Sequence, residues 1–192
     1  MSTRCRVRLA SRNPHKAREL EALLPGWEIE PLDRDDYPPE DGETYLENAR
    51  IKARFARAAL GPTPGLWALG EDSGLEIAAL GGAPGVRSSR SAQGDEVGWA
   101  LRGLGDADDR RARYVSELVA IAPDGDELRG SGILEGAIAR EPAGAAGFGF
   151  DPVFVPAGES RTVAQLGDEW KSRHSHRARA AQSLLNAIAE RA

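Results

Sequence analysis

The sequence has few of the residues that crosslink a protein or bind transition metals. One cysteine, Cys5, and three histidines occur among 192 residues. A single cysteine cannot form a disulfide within the chain, which suits a reducing compartment. The histidines and the cysteine show no zinc-ligand spacing, and no catalytic-triad motif is visible. These absences exclude a disulfide scaffold and argue against a zinc domain.

An excess of positive charge and long apolar runs are also absent. The formal net charge is -5 at pH 7, whereas a general nucleic-acid or membrane binder presents a basic face. No signal peptide and no membrane-spanning run is visible. We therefore expect a cytoplasmic protein without nucleic-acid or membrane partners. The length favours a single domain over residues 1–192, large enough to bury a core.

Apolar alternation and helical periodicity follow one another along the chain, which is typical of α/β proteins. Some elements also have caps or turn residues at their ends. The predicted strands are Arg4–Ala10, Trp27–Pro31, Leu66–Gly70, Arg113–Ala122 and Leu128–Arg140. Helices are predicted from Pro14, over Glu43–Leu60, over Gly94–Leu104 and after Ser175.

The turn between the first strand and the first helix is a candidate anion site. Ser11, Asn13 and Lys16 lie there, and Pro14 suits the first helical turn, whose unpaired N–H groups attract anions. An ordinary turn is the alternative that this segment alone favours, because the glycines of a Walker loop are missing. Lys52, on the second helix, would contact phosphate if it faced a pocket, although a solvated lysine is more common.

Two adjacent acids, Glu71 and Asp72, precede Ser73. Like charges side by side cost free energy unless a cation or a proton lies between them. Carboxylate and hydroxyl oxygens are the ligands that Mg²⁺ prefers. The strand Leu66–Gly70 would bring the pair to a strand end, where α/β proteins tend to place their sites. A solvated surface turn is the alternative.

Two aromatic residues flank Gly149. Phe148 and Phe150 could stack a nucleobase, although packing in the core is the more frequent use of phenylalanine. In the last helix, Ser175 as N-cap would put His176 and Arg177 in the first turn. Cations there oppose the helix dipole, which makes sense if a phosphate or carboxylate is bound.

Five segments in this order resemble the inosine/xanthosine triphosphate pyrophosphatase family. They are SRNPHK at Ser11–Lys16, ENARIKA at Glu47–Ala53, EDSGLEIAALGGAPGVRSSR at Glu71–Arg90, EPAGAAGFGFDPVF at Glu141–Phe154, and Lys171 with Ser175–Arg177. The resemblance implies an elongated mixed β-sheet in two lobes flanked by helices, with the nucleotide in a cleft between the lobes. It also implies a homodimer that hydrolyses ITP, dITP and XTP to the monophosphate and pyrophosphate with Mg²⁺.

The resemblance assigns roles to individual residues. Asp72 is the catalytic residue, which binds the metal and orients or deprotonates the attacking water. Glu71 is a further metal ligand, and Glu40 is the third if the loop before it shifts to let it serve. The substrate-binding residues are Ser11, Arg12, Asn13, Lys16, Lys52, Ser73, Phe148, Gly149, Phe150, Asp151, Lys171, His176 and Arg177.

Some positions depart from the family pattern. Glu71 stands where an aspartate is usual, and Phe150 where a tyrosine is common. Counted back from Gly42, the position of a further family acid is Pro39, and the nearest acid, Glu40, comes one residue later. Either the loop shifts to let Glu40 serve, or this metal ligand is lost. These departures leave open a non-catalytic nucleotide-binding module with a decayed metal site. A second alternative is a Maf-type pyrophosphatase for other modified nucleotides, which shares the general fold, although the His176–Arg177 pair and the FGFD segment argue against it.

Overall fold

The computed structural model describes residues 5–92 and 94–191. In these ranges the strands are β1 (Cys5–Leu9), β2 (Trp27–Pro31), β3 (Leu66–Ile77), β4 (Arg111–Ile121), β5 (Glu127–Ile138) and β6 (Phe154–Pro156). The helices are α1 (Pro14–Leu23), α2 (Tyr45–Leu60), α3 (Ser88–Ser91), α4 (Glu96–Leu104), α5 (Val163–His174) and α6 (His176–Arg191). Arg4, which was predicted to begin the first strand, lies outside the described residues.

Within the described residues the six strands form one sheet in the order β2-β1-β3-β4-β5-β6. Strand β1 pairs in parallel with β2 and with β3, whereas β5 pairs antiparallel with β6. The sheet is therefore mixed, and helices alternate with its first strands. The predicted mixed α/β fold is confirmed.

The chain divides into two compact units. In the described residues, unit 1 comprises residues 5–72, 116–132 and 177–191, and unit 2 comprises residues 73–92, 94–115 and 133–176. Unit 1 contains two hydrophobic clusters, one of which includes Leu20 of α1 and Leu184 of α6, and the other Ala49 and Ala53 of α2. Unit 2 has its own cluster, which includes Tyr114 and Phe154.

Local sequence explains where the helices begin. Asn13 caps α1 by accepting hydrogen bonds from the backbone N–H groups of His15 and Lys16, and Pro14 is the first helical residue, as predicted. Thr44 and Glu47 form a capping box at the start of α2, so the helix begins at Tyr45. These caps hold the helices that carry Lys16 and Lys52.

The structure corrects the prediction for the third strand and adds one helix. Strand β3 does not end at Gly70 but continues to Ile77, so Glu71 and Asp72 lie in its middle. Neither the strand end nor the surface turn predicted for this pair is present. Helix α5 was not predicted. It begins after a capping box formed by Thr162 and Gln165, and Gly167 interrupts it with non-helical backbone angles.

Candidate functional site

Helix α2 lies against β3 in unit 1 at very short range. A Cβ atom built on Gly70 would lie 2.1 Å from the carbonyl oxygen of Ala49 and 2.5 Å from the backbone nitrogen of Ala53. Any residue larger than glycine would therefore push the helix away from the strand. Lys52 on this helix can reach Asp72 on the strand because the two backbones approach so closely.

Asp72 is buried and held by two side chains of α2. Lys52 Nζ donates to Asp72 Oδ1 at 2.8 Å, and Asn48 Nδ2 donates to Asp72 Oδ2 at 3.3 Å. Lys52 Nζ also lies 2.6 Å from Glu40 Oε1. Glu40, the acid that comes one residue after Pro39, thus shares a lysine partner with Asp72.

Glu71 has a different set of partners. Its side chain is 0% exposed, and Oε2 lies 2.6 Å from Lys16 Nζ. The other oxygen, Oε1, lies 3.1 Å from both Arg177 Nε and Nη2 and 3.3 Å from the hydroxyl of Ser116. We call Lys16, Glu40, Lys52, Glu71 and Asp72 the acid–lysine cluster.

Arg177 lies in the first turn of α6, as predicted, and its side chain is 2% exposed. A cation in this position opposes the helix dipole. Its guanidinium contacts two carboxylates, those of Glu71 and of Glu19 on α1. The sequence predicted an anion near this helix start, and the carboxylates of Glu19 and Glu71 are such anions. The role of Arg177 in substrate binding stays a prediction.

The two adjacent acids have opposite pKa shifts. Burial raises the pKa of Glu71, but the charges of Lys16 and Arg177 outweigh this effect and hold the pKa well below its ordinary value. Burial also raises the pKa of Asp72, and there the Lys52 charge offsets only part of the effect, so the pKa stays above its ordinary value. Burial lowers the pKa of Lys52, but Asp72 and Glu40 raise it overall.

The polar turn before α1 has internal contacts. The backbone N–H of Asn13 donates to the Ser11 hydroxyl at 3.1 Å. Arg12 donates to the backbone oxygen of Asp35 and lies 5.0 Å from the ring centroid of Tyr37. Among the predicted phosphate-binding residues of this segment, Lys16 reaches the acid–lysine cluster. The roles of Ser11, Arg12 and Asn13 in binding stay predictions.

Unit 2 contains a second group of polar and aromatic residues, which we call the Asp151 cluster: Tyr114, Phe148, Asp151, Lys171 and His176. Asp151 Oδ2 accepts from Lys171 Nζ at 2.8 Å and from the backbone N–H of Phe148 at 3.0 Å. Lys171 Nζ also lies 4.3 Å from the Phe148 ring centroid. Buried Asp151 and Lys171 therefore hold the half-buried Phe148 in place.

A glycine makes room for this arrangement. Gly147 has a φ of +77°, and a Cβ atom there would lie 2.2 Å from Asp151 Oδ2. Gly149 also has a positive φ, +64°. The ring of Phe150 is buried in the hydrophobic core of unit 2, at 6.5 Å and nearly perpendicular to Trp99. Phe150 thus has the core position that was the alternative for these rings, whereas Phe148 lies beside Lys171.

Four residues that contact predicted site residues were not themselves predicted: Glu19, Asn48, Ser116 and Tyr114. Asn48 shares a helix face with Lys52 within the ENARIKA segment, and this spacing was a usable signal. Ser116 and Tyr114 lie in the apolar strand β4, where the sequence gives no sign of their contacts. Ser73 follows Asp72 in β3, and its predicted contact with substrate stays a prediction.

Among residues 5–92 and 94–191, no group of three or more His, Cys, Asp or Glu side chains is arranged to hold a metal ion. Each predicted metal ligand, Glu40, Glu71 and Asp72, contacts a lysine, and their role as metal ligands stays a prediction. None of the helices in the same ranges combines the length and the apolar character that a membrane span requires.

Comparison with known sequences identifies the family. The profile of the Ham1 family matches residues 7–187. The chain belongs to the Ham1 family. It is 44% identical over 191 residues to a dITP/XTP pyrophosphatase of Symbiobacterium thermophilum, covering 95% of this chain and 94% of that protein. A dITP/XTP pyrophosphatase of Thermus thermophilus is 41% identical over 194 residues, covering 95% of this chain and 91% of the relative.

Solved structures of the family have the same fold. A HAM1 protein from Coxiella burnetii superimposes with a TM-score of 0.81 at 38% identity, covering 96% of this chain and 98% of that chain. A nucleoside-triphosphatase / dITP/XTP pyrophosphatase from Mycobacterium abscessus gives a TM-score of 0.72 at 38% identity, with coverages of 95% and 99%. The resemblance inferred from the motifs is confirmed.

Proposed function

We propose that this protein hydrolyses the deaminated purine nucleotides ITP, dITP and XTP to the nucleoside monophosphate and pyrophosphate, with Mg²⁺ as the cofactor. The observation that carries the proposal is the match to dITP/XTP pyrophosphatases along nearly the whole chain. Membership of the Ham1 family leaves the Maf-type alternative without support. Such an activity removes triphosphates with deaminated bases from the pool of nucleic-acid precursors.

Asp72 is the proposed catalytic residue. A general base works best when its pKa lies close to the operating pH, and burial raises the pKa of Asp72 above its ordinary value. Asn48 and Lys52 hold its two oxygens in place. A carboxylate fixed in this way can orient a water molecule and accept its proton while the bond between the α- and β-phosphates breaks.

The donor set of the acid–lysine cluster fits a magnesium ion. Glu40 and Asp72 contribute carboxylate oxygens that converge on one cationic atom, Lys52 Nζ. Mg²⁺ is commonly held by one or two carboxylates together with substrate phosphates and waters, so a cage of three acids is not required. Bound there, the ion would supply the positive charge that polarises the phosphates. We propose that Glu71 stays outside this set and holds Lys16 and Arg177.

Charge balance also favours a metal cofactor. The cations of this region already face carboxylates, so they offer little net positive charge to a triphosphate. The cations are Lys16, Lys52 and Arg177, and the carboxylates are Glu19, Glu40, Glu71 and Asp72. A divalent ion would offset part of the substrate's negative charge, and Lys16 and Lys52 would then position the phosphates.

The Asp151 cluster is the proposed base-reading part. Phe148 would stack on the purine, and Asp151 and Lys171 would hold the Phe148 ring in position. A donor from His176 directed at the 6-oxo group would bind hypoxanthine and xanthine but would face the 6-amino group of adenine without an acceptor. Guanine shares the 6-oxo group, so its exclusion requires a separate contact at its 2-amino group. A site built on such a bond can discriminate by several orders of magnitude.

We also propose a cytoplasmic homodimer. The proposal of a dimer is based on the family resemblance. The proposal of a cytoplasmic location is based on where nucleotide pools are used. Light scattering coupled to gel filtration would test the dimer. A monomer at micromolar concentration would contradict it.

A substrate panel tests the activity. Purified protein is given ITP, dITP, XTP, dATP or dGTP, with Mg²⁺ or with a chelator, and both the monophosphate and pyrophosphate are measured. We expect fast release from the first three substrates only, and only with the metal. Equal rates on all purines would refute the selectivity, whereas tight binding without hydrolysis would favour the nucleotide-binding module with a decayed metal site.

Replacing Asp72 tests the catalytic residue. We expect Asp72→Asn to lower kcat by a factor of about 10² to 10⁴, the usual contribution of a positioned base. The matched control is Asp106→Asn, which changes an exposed acid in unit 2. Full activity of the Asp72→Asn enzyme would refute the assignment.

A further inference from the structure

The base-reading proposal requires that two side chains, His176 and Asp151, keep a fixed orientation. The last torsion of a histidine side chain has broad minima, so the ring plane rotates easily unless something flat packs against it. If the ring could rotate, its N–H group could turn away from the amino group of adenine and avoid the unfavourable contact. The selectivity against adenine would then fall. A neighbouring residue must therefore hold the ring.

Tyr114 has the required contacts to both residues. Its ring stacks on the imidazole of His176 with centroids 4.5 Å apart and planes inclined by 8°. Its hydroxyl donates to Asp151 Oδ1 at 3.3 Å. Lys171 and the backbone of Phe148 bind the other carboxylate oxygen, Oδ2. Tyr114 is thus in contact with the proposed oxo-reading side chain through its face and with Asp151 through its edge.

Tyr114 is itself held firmly. It lies in the long strand β4 and is 7% exposed. The Phe154 ring packs against it at 4.6 Å between centroids. A side chain on a strand and packed against another ring has little freedom, so it can transmit its position to its neighbours.

We infer that Tyr114 is a positioning residue for purine selectivity, which orients the His176 ring by stacking and Asp151 by its hydroxyl. The inference rests on the proposed function of the Asp151 cluster. Because its contacts go to His176 and Asp151, we expect Tyr114 to affect the binding and the choice of the base.

Two variants separate the two contacts. Tyr114→Phe keeps the flat face and removes the hydroxyl. Tyr114→Met fills much of the same space with a flexible chain and removes the face. The matched control is Tyr45→Phe, which removes the hydroxyl of another buried tyrosine, one in unit 1.

The decisive measurement is the ratio of kcat/KM for dITP to that for dATP. For Tyr114→Phe we expect the ratio to stay within about threefold of wild type while KM for dITP rises by about three- to tenfold, the effect of one hydrogen bond. For Tyr114→Met we expect the ratio to fall at least about tenfold, because a donor with no fixed direction discriminates poorly. Tyr45→Phe should keep the wild-type ratio.

The ratio distinguishes positioning from a merely structural role. A variant that is only less stable loses both activities equally, and its ratio stays unchanged. An unchanged ratio in a folded Tyr114→Met enzyme would therefore overturn the inference, and so would a lost ratio in Tyr114→Phe.

A second readout is independent of turnover. Proton NMR of the His176 ring should show an upfield ring-current shift that Tyr114→Phe keeps and Tyr114→Met loses. If wild-type protein shows no preference for dITP, the proposed function fails, and the NMR comparison still tests the stacking contact. Identical His176 shifts in all variants would refute the positioning by Tyr114.

Discussion

The contact between β3 and α2 makes Gly70→Ala the most informative substitution in unit 1. The new methyl carbon would lie 2.1 Å from the Ala49 carbonyl oxygen, whereas ordinary contact begins at 3.4 Å. Because the obstacle is backbone, the helix itself must retreat, by about 1.3 Å if it moves along the contact. Such overpacking costs about 1 to 3 kcal/mol.

This displacement should affect stability and activity together. With a urea m-value of about 2 kcal/mol/M, the unfolding midpoint should fall by about 0.5 to 1.5 M. Lys52 Nζ now lies 2.8 Å from Asp72 Oδ1, and a misplacement of about 1 Å at a catalytic group can lower the rate about a hundredfold. Activity should therefore be low even in urea-free buffer, where the variant is still folded.

Urea titration followed by circular dichroism, with pyrophosphate release on dITP, measures both effects. The matched control is Gly103→Ala in α4, where the new carbon would meet only the two terminal methyl groups of Leu80, at 3.1 and 3.9 Å. That variant should keep its activity and lose little or no stability, since alanine favours a helix. Wild-type stability and rate in Gly70→Ala would refute the claim that backbone contact positions Lys52.

Three further results are expected. Arg177→Met should lower the free energy of unfolding by about 1 to 3 kcal/mol, because buried Glu71 loses its guanidinium partner but keeps Lys16 at 2.6 Å. The exposed control Arg173→Met should change it by less than about 0.5 kcal/mol in the same urea titration. Burial raises the pKa of the Cys5 thiol to about 11 from 9.0, so at pH 8 it carries about a hundredfold less thiolate. A disulfide reagent should therefore react at least about tenfold more slowly with the folded than with the urea-unfolded protein, even after the greater nucleophilicity of a basic thiolate is counted, and equal rates would contradict this. We also propose that the chain is a single domain, because β3, β4 and β5 each contribute residues to both units. Fluorescence and circular dichroism should therefore show one coincident unfolding transition. Two separate unfolding midpoints would refute this proposal.

Local patterns predicted the elements whose signals are complete within a few residues. Helix α2 has periodic apolar residues and the capping pair Thr44 and Glu47, and it was predicted within two residues of its observed start. Helix α5 has an equivalent pair, Thr162 and Gln165, which was overlooked because Gly167 breaks the periodicity behind it. The capping pair would have been sufficient to predict that start.

The end of β3 could not be predicted in the same way. Two acids followed by serine and glycine are typical of a turn, and a strand through them requires partners that neutralise buried charge. Those partners come from distant segments, since Arg177 lies 106 residues from Glu71 and Lys52 lies 20 residues from Asp72. The predicted list of site residues contained these cations, but no local rule indicated that they pair with the two acids.

Placing the acids inside a strand changes the chemistry that each can perform. Successive side chains of a strand point to opposite faces, and Glu71 accordingly contacts Lys16 of α1 and Arg177 of α6, whereas Asp72 contacts Lys52 of α2. In a turn both carboxylates could have bound one ion, but in the strand an ion bound at Asp72, as proposed, would lie on the opposite face from Glu71. The extra methylene of Glu71 relative to the usual aspartate would then have no consequence for metal geometry. It would lengthen only the reach to Lys16 and Arg177, and the low pKa of Glu71 would keep this carboxylate charged while Asp72, the proposed base, exchanged protons.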